Sequence, residues 1–239
     1  MKIKICGLRR PEEADVVRAC GGDYLGAVFA LSPRQVDVLQ AQALFAAAGT
    51  VGRVGVFQNA PLVQVQEIAQ ACQLDLVQLH GEENEAYARA VGRPVLRSVP
   101  VTPGEAVAKD LLQRSGYAGL LLDTKLPGQS GGTGTTFDWK ELQVLRQEAA
   151  SPLWVAGGLT AANVATAIRM LRPDGVDVSG GVESSRGVKD CAAIAAFIAA
   201  ARQAEEEYLA EPYCGEQAPG GGRSETEAAV TARGYKNKR

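Results

Sequence analysis

The chain has 239 residues, 46% of them hydrophobic and 22% charged, with a formal net charge of -2 at pH 7. That is enough chain for one well-buried core, and the even spread of acids and bases gives no support to a nucleic-acid or acidic-membrane partner, which leaves a small molecule. Cys6, Cys20, Cys72, Cys191 and Cys214 form no CxxC pair, so they read as reduced thiols in the cytoplasm. There is no signal-peptide core, and no apolar stretch approaches the ~18–20 residues of a membrane span.

The chain opens with the β-prone run "KIKICG" (2–7), followed by a helix over 11–20 in which Pro11 takes the first position and Glu12 and Glu13 face the positive end of the dipole. The same unit then repeats. "YLGAVFA" (24–30) precedes a helix over 35–48, "VGRVGVF" (51–57) one over 61–72, and "LVQLHG" (76–81) one over 83–91. "PVLRSVP" (94–100) leads to 104–115, "GLLLDT" (119–124) to 138–148, "LWVAGG" (153–158) to 160–171 and "GVDVSGG" (175–181) to 190–207. Strands alternating with helices pair in parallel, and eight such units are the count of a single (β/α)8 TIM barrel over 1–207. A doubly wound open sheet is the rival architecture. Residues 208–239 are rich in Gly and charge with little apolar periodicity, and the expectation there is a flexible tail.

A barrel of this kind carries its active site at the carboxyl ends of the strands. Strand 1 ends in Cys6, strand 4 in Gln78 and His80, and strand 6 in Asp123 with Lys125 after it. Cys6 has two readings, an inert packing thiol or a reactive group. His80 is the single histidine, too few for the usual metal site, so no metal is expected. Gly157 and Gly158 precede Thr160, a candidate helix cap, and Ser179, Gly180 and Gly181 open the loop after strand 8. Glycines let backbone N–H groups approach a phosphate, and loops 7 and 8 are where this fold binds one. The glycine-rich stretch 126–139 is longer than the usual connection and reads as a lid.

The segments "KICGLRRPEEA", "SPRQV", "VGVFQN", "VQLHGEE", "LLLDTKLPGQSGGTGTTFDW", "AGGLTAANV" and "GVDVSGGVESSRGVKD" together resemble the phosphoribosylanthranilate isomerases of tryptophan biosynthesis, over about residues 1–202. The resemblance implies an Amadori rearrangement of N-(5-phosphoribosyl)anthranilate, an aminoaldose, to 1-(2-carboxyphenylamino)-1-deoxyribulose 5-phosphate, with no cofactor. It makes Cys6 the general base and Asp123 the general acid, sets Arg34 against the anthranilate carboxylate, and gives the phosphate to the "AGGL" and "SGGVES" loops. Gln78, His80 and Lys125 are further candidates for substrate contact. The chain departs from the family pattern at Gly180, where a second serine is frequent, and at Thr135, where a lysine often follows "GTG".

The chemistry asks for such a pair. Opening the ribose ring needs a proton for the ring oxygen, and removal of the C2′ proton needs a base. A thiol with the ordinary pKa of about 8.5 needs a cationic setting to serve at neutral pH, with Lys4, Arg9 and Lys125 as candidates. Two alternatives stand beside this reading: a histidine-pathway isomerase of bis-phosphorylated aminoaldoses, and a non-catalytic sensor of phosphate ligands. Monomer and homodimer are both open.

Overall fold

The computed structural model describes residues 1–102, 116–124, 146 and 149–210. Eight parallel strands close into a barrel in chain order. They are β1 (Lys2–Cys6), β2 (Tyr24–Val28), β3 (Gly52–Phe57), β4 (Leu76–Leu79), β5 (Val95–Val101), β6 (Gly119–Thr124), β7 (Leu153–Ala156) and β8 (Gly175–Val178). The pairing of β1 with β8, Lys4 opposite Asp177 and Ile5 opposite Val178, excludes the open sheet. Six described helices flank them: α1 (Pro11–Ala19), α2 (Val38–Ala46), α3 (Leu62–Ala71), α4 (Glu85–Ala90), α5 (Val164–Leu171) and α6 (Cys191–Ala210). The expected helices over 104–115 and 138–148, the proposed lid over 126–139, Lys125 and the tail from 211 onward lie outside the described residues, Arg146 excepted. None of the described helices is long and apolar enough to cross a membrane.

Local capping explains where the helices begin. At α1 the Glu13 carboxylate accepts from the backbone N–H of Arg9 at 2.7 Å and of Arg10 at 3.2 Å, while Pro11 supplies the first residue. Helix α2 starts at Val38 rather than 35. Val36 N–H donates to Val28 C=O at 2.9 Å, extending the edge of β2, and Asp37 caps Gln40 N–H at 2.8 Å. Helix α4 starts at Glu85 because Asn84 caps it and Glu83 turns inward. Helix α5 starts at Val164, and Thr160 is not its cap. Instead the Asn163 side chain accepts from Thr160 N–H at 2.7 Å and donates to Gly158 C=O at 2.9 Å, which ties residues 160–163 into a turn over the end of β7. Strands 2, 4, 7 and 8 stop at Val28, Leu79, Ala156 and Val178, short of the expected ends, and α6 continues to Ala210 past 207.

Side chains alternate across each strand, so two cores form. Outward residues such as Ile3, Ile5, Leu25, Val77 and Val176 pack against helix residues such as Leu44, Ile168 and Phe197. Full burial of each stabilises by about 1.5–3 kcal/mol. Inside the barrel, Val54, Leu76, Leu96, Leu121 and Trp154 fill the N-terminal end, with Tyr24 packed tilted against Trp154 at 5.7 Å between ring centroids. Gly119 and Gly175 make room for the indole: a Cβ at either would lie 2.8 Å or 2.4 Å from it.

A short hairpin, β9 (Glu183–Ser185) with β10 (Val188–Lys189), follows β8 and a single 3-10 turn over Gly180–Val182. The sequence reading did not anticipate it.

Candidate active site

Above the indole layer several inward positions turn polar, while Val28 and Val56 stay apolar beside Cys6. Lys4 Nζ donates to Asp177 Oδ1 at 3.0 Å, with both side chains buried. Across the barrel Gln78 Nε2 donates to Ser98 Oγ at 3.1 Å, and the Gln78 carbonyl oxygen is buried with no hydrogen-bond partner. One step further along the strands stand Cys6, His80 and Asp123. Two-residue alternation puts Cys6 on the same side as Lys4, His80 on the side of Gln78, and Asp123 on the side of Leu121. Gly26, the neighbour of Cys6 on β2, leaves space for the thiol, since a Cβ there would lie 3.0 Å from the sulfur and 3.2 Å from Lys4 Cε.

These groups open into a cavity of about 710 Å³, within the range of small-molecule sites. Cys6, Arg34, Gln78, His80, Asp123, Gly157, Gly158, Ser179, Gly180 and Gly181 all line it, so every candidate side chain except Lys125 comes to one place. His80 Nε2 lies 3.4 Å from Asp123 Oδ2, an ion-pair distance rather than a tight hydrogen bond. On the other side Arg34 Nε and Nη2 donate to Glu183 at 2.6 Å and 2.9 Å in a bidentate pair.

The glycine loops match what close backbone approach demands. Gly157 and Gly158 have φ of +87° and +64°, a conformation few residues other than glycine adopt. A Cβ on Gly181 would lie 1.8 Å from the carbonyl oxygen of Leu159, so loops 7 and 8 touch through that glycine. Gly180 and Gly181 open the 3-10 turn, and the first N–H groups of a helical turn have no acceptor within it.

The electrostatics correct one expectation. Burial pushes the Cys6 thiol up, the Lys4 ammonium pulls it down, and the Asp177 carboxylate cancels enough of that pull to leave the thiol above its ordinary value. The same grouping acts on Lys4: burial opposes its charge, but Asp177 and then Cys6 outweigh burial and hold the ammonium on. Of the cations expected to activate the thiol, Lys4 is adjacent, whereas Arg9 is exposed and donates to Pro33 C=O at 3.5 Å. Among the described residues no three His, Cys, Asp or Glu side chains gather as a metal site would require.

A family model described as N-(5'phosphoribosyl)anthranilate (PRA) isomerase matches residues 3–200. The chain belongs to that family. An N-(5'-phosphoribosyl)anthranilate isomerase of Pseudomonas fluorescens is 44% identical over 208 residues, which are 86% of this chain and 98% of that protein. The crystal structure of phosphoribosyl anthranilate isomerase from Thermotoga maritima superposes with a TM-score of 0.78 at 35% identity, covering 85% of this chain and 99% of that one. A second crystal structure of the enzyme, in complex with reduced 1-(o-carboxyphenylamino)-1-deoxyribulose 5-phosphate, gives a TM-score of 0.74 at 32% identity over 85% and 99% of the two chains.

Four residues lining this cavity or bonded to its lining went unnoticed in the sequence: Asp177, Ser98, Glu183 and Lys189. The first had a signal, since an acid inside the apolar run "GVDV" must be paired if it points inward. Ser98 shares an alternation phase with Leu96, so its inward direction was also readable. Glu183 and Lys189 belong to the unanticipated hairpin and carried no such signal.

Proposed function

We propose that this chain is an aldose–ketose isomerase that converts N-(5-phosphoribosyl)anthranilate to 1-(2-carboxyphenylamino)-1-deoxyribulose 5-phosphate in the cytoplasm. The observation that carries the reading is the opening of Cys6 and Asp123, from opposite sides of the barrel, into one cavity rimmed by the glycine loops of β7 and β8, in a member of this family.

Asp123 in its acid form gives a proton to the ribose ring oxygen as the C1′–O bond breaks. The electron pair of the anilino nitrogen forms the C1′=N⁺ bond of a Schiff base. That cation acidifies the C2′ proton, and its positive charge beside Cys6 supplies what Lys4 and Asp177 together do not, a field that favours the thiolate. The thiolate takes the C2′ proton and the C2′–H electron pair forms the C1′=C2′ bond of an enolamine, neutralising the nitrogen. A proton gained at C1′ and one lost from the C2′ hydroxyl then give the ketone. The unpaired carbonyl oxygen of Gln78 is suited to accept a hydrogen bond from a substrate hydroxyl, and His80 to hold the Asp123 carboxyl in place. Arg34 takes the anthranilate carboxylate, and the Gly157–Gly158 and Ser179–Gly181 segments take the phosphate at their backbone N–H groups. Lys125 is retained as a contact at the end of β6.

The test is loss of phosphoribosylanthranilate fluorescence on addition of the purified chain in the presence of a chelator, with the ketose identified by mass and by borohydride trapping. Catalytic loss with ketose formation is expected. Binding without turnover would favour the phosphate-ligand sensor, and turnover confined to bis-phosphorylated aminoaldoses the histidine-pathway enzyme.

A further inference from the structure

Glu183 on β9 and Lys189 on β10 face one another across the hairpin, Nζ to Oε1 at 2.9 Å, with side chains only 5% and 1% exposed. A buried ion pair is costly unless its remaining donors and acceptors are used. Here they are used in two directions. Glu183 also accepts from Arg34 Nε at 2.6 Å and Nη2 at 2.9 Å, and from Gly187 N–H at 3.1 Å. Lys189 also donates to the backbone oxygen of Ser179 at 2.9 Å and to its hydroxyl at 3.3 Å. One unbroken chain of charge-assisted bonds therefore joins Arg34 to Ser179, the residue that opens the Gly180–Gly181 turn.

Both ends of this chain keep something in reserve. Glu183 occupies the Nε/Nη2 edge of the Arg34 guanidinium, and no described residue accepts from Nη1, so the second edge is left to the cavity that Arg34 lines. At the other end Lys189 holds Ser179 from behind and leaves the amides of the turn to the cavity. The glycine of the opening "KICG" has its reason in the same place. Gly7 has φ of +74°, and a Cβ there would lie 2.5 Å from Arg34 Cδ and 3.1 Å from Ser179 Oγ. It stands between the two ends and lets them approach. Gly187, at the tip of the hairpin with φ of +82°, would put a Cβ 2.9 Å from the carbonyl oxygen of Pro33, so the hairpin also seats the loop that carries Arg34.

We propose that Glu183 and Lys189 are positioning residues that fix the distance between two anion receptors, Arg34 and the Ser179–Gly181 turn, so that the cavity selects a ligand carrying a carboxylate and a phosphate a set length apart. The inference rests on the isomerase reading and adds to it how the substrate is measured. A small phosphate ester or a lone aryl carboxylate engages one receptor and gains nothing from their spacing, whereas a ligand that spans both does.

The experiment compares Glu183→Gln and Lys189→Met with the wild-type chain. Its readouts are kcat and KM for phosphoribosylanthranilate, inhibition constants for inorganic phosphate and for anthranilate as separate half-ligands, and the thermal midpoint. The expected result is a rise in KM of about tenfold or more in each variant, with the half-ligand constants within about threefold of wild type and partial recovery in Lys189→Arg. Should a variant fail to fold, Gly7→Ala leaves the ion pair in place and forces Arg34 and Ser179 apart, and the same pattern is expected of it. A KM within twofold of wild type, or half-ligand constants weakened as much as KM, would overturn the proposal. A wild-type chain that does not turn the substrate over would remove the isomerase reading and the inference with it.

Discussion

At the N-terminal end of the barrel the inward positions carry Leu76, Leu96, Leu121 and Trp154, while two residues along the same or neighbouring strands they carry Gln78, Ser98 and Asp123. Strand β6 passes from Leu121 to Asp123 and strand β4 from Leu76 to Gln78 within one parallel register each, and His80 follows just past the end of β4. The apolar end is packed with bulky side chains, down to glycines cut away for the indole. The polar end leaves a buried carbonyl oxygen of Gln78 unpartnered and a thiol pushed up by burial. The difference teaches that stability and chemistry are drawn from the same strands where side-chain polarity switches, as along β4, β5 and β6, while β2 and β3 stay apolar up to the cavity at Val28 and Val56. The groups that cost stability are the ones facing the cavity.

Each end can be broken separately. Trp154→Ala should have the largest effect, a loss of about 3–5 kcal/mol from the void left among Val54, Leu76, Leu96 and Leu121, with KM unchanged at temperatures where the variant is folded. Chemical denaturation alongside steady-state kinetics checks both halves of that statement. Asp177→Asn comes next. It removes one partner of the buried Lys4 pair, and a loss of up to about 3 kcal/mol is expected. It also removes the carboxylate that, after burial, holds the Cys6 thiol up, and leaves the Lys4 ammonium paired with the sulfur alone, so the thiol ionises at lower pH. Because the thiolate is the base, the rise of kcat/KM with pH should move to lower pH, and a profile that stays in place would show that Asp177 does not tune Cys6.

The smallest effect concerns acid. Glu183 is held at about 2 against an ordinary 4.5, because its bonds to Arg34 and Lys189 outweigh the burial that would raise it. A carboxyl whose pKa is lowered on folding contributes stability that is present above its unfolded value and lost as pH falls through the folded one. The thermal midpoint should therefore fall between about pH 4.5 and 2, and Glu183→Gln should flatten that part of the curve. Equal slopes in the two proteins would separate Glu183 from the acid response.

Most of the barrel was legible because its signal is repetitive: eight β-prone runs, each leading to an amphipathic segment. The lining of the candidate site was legible for a related reason, that Cys6, His80 and Asp123 stood at or just past the last inward positions of strands 1, 4 and 6. What escaped depends on closure or on local capping. Lys4 and Asp177 are 173 residues apart and meet only because β8 returns to β1. The β9–β10 hairpin has strands of three and two residues, too short for any alternation to register. The helix starts at Asp37 and Asn84 were displaced by side-chain caps and a strand extension, and the one at Asn163 by the turn its side chain makes with Thr160 and Gly158, all claiming residues that periodicity alone assigned to helix. The cationic setting expected for Cys6 is present in Lys4, but its effect is outweighed first by burial and then by an acid that pattern reading did not place beside it.

The measurement closest to the central claim is kcat for phosphoribosylanthranilate in the wild-type chain, Cys6→Ser and Asp123→Asn, each with its thermal midpoint. Cys6 and Asp123 at the polar end are predicted to carry the proton transfers, so each substitution should lower kcat by about 10²–10⁴-fold while the thermal midpoint stays near that of wild type. Near-normal kcat in either variant would take that residue out of the chemistry and contradict the division of the barrel into a packed end and a reactive one.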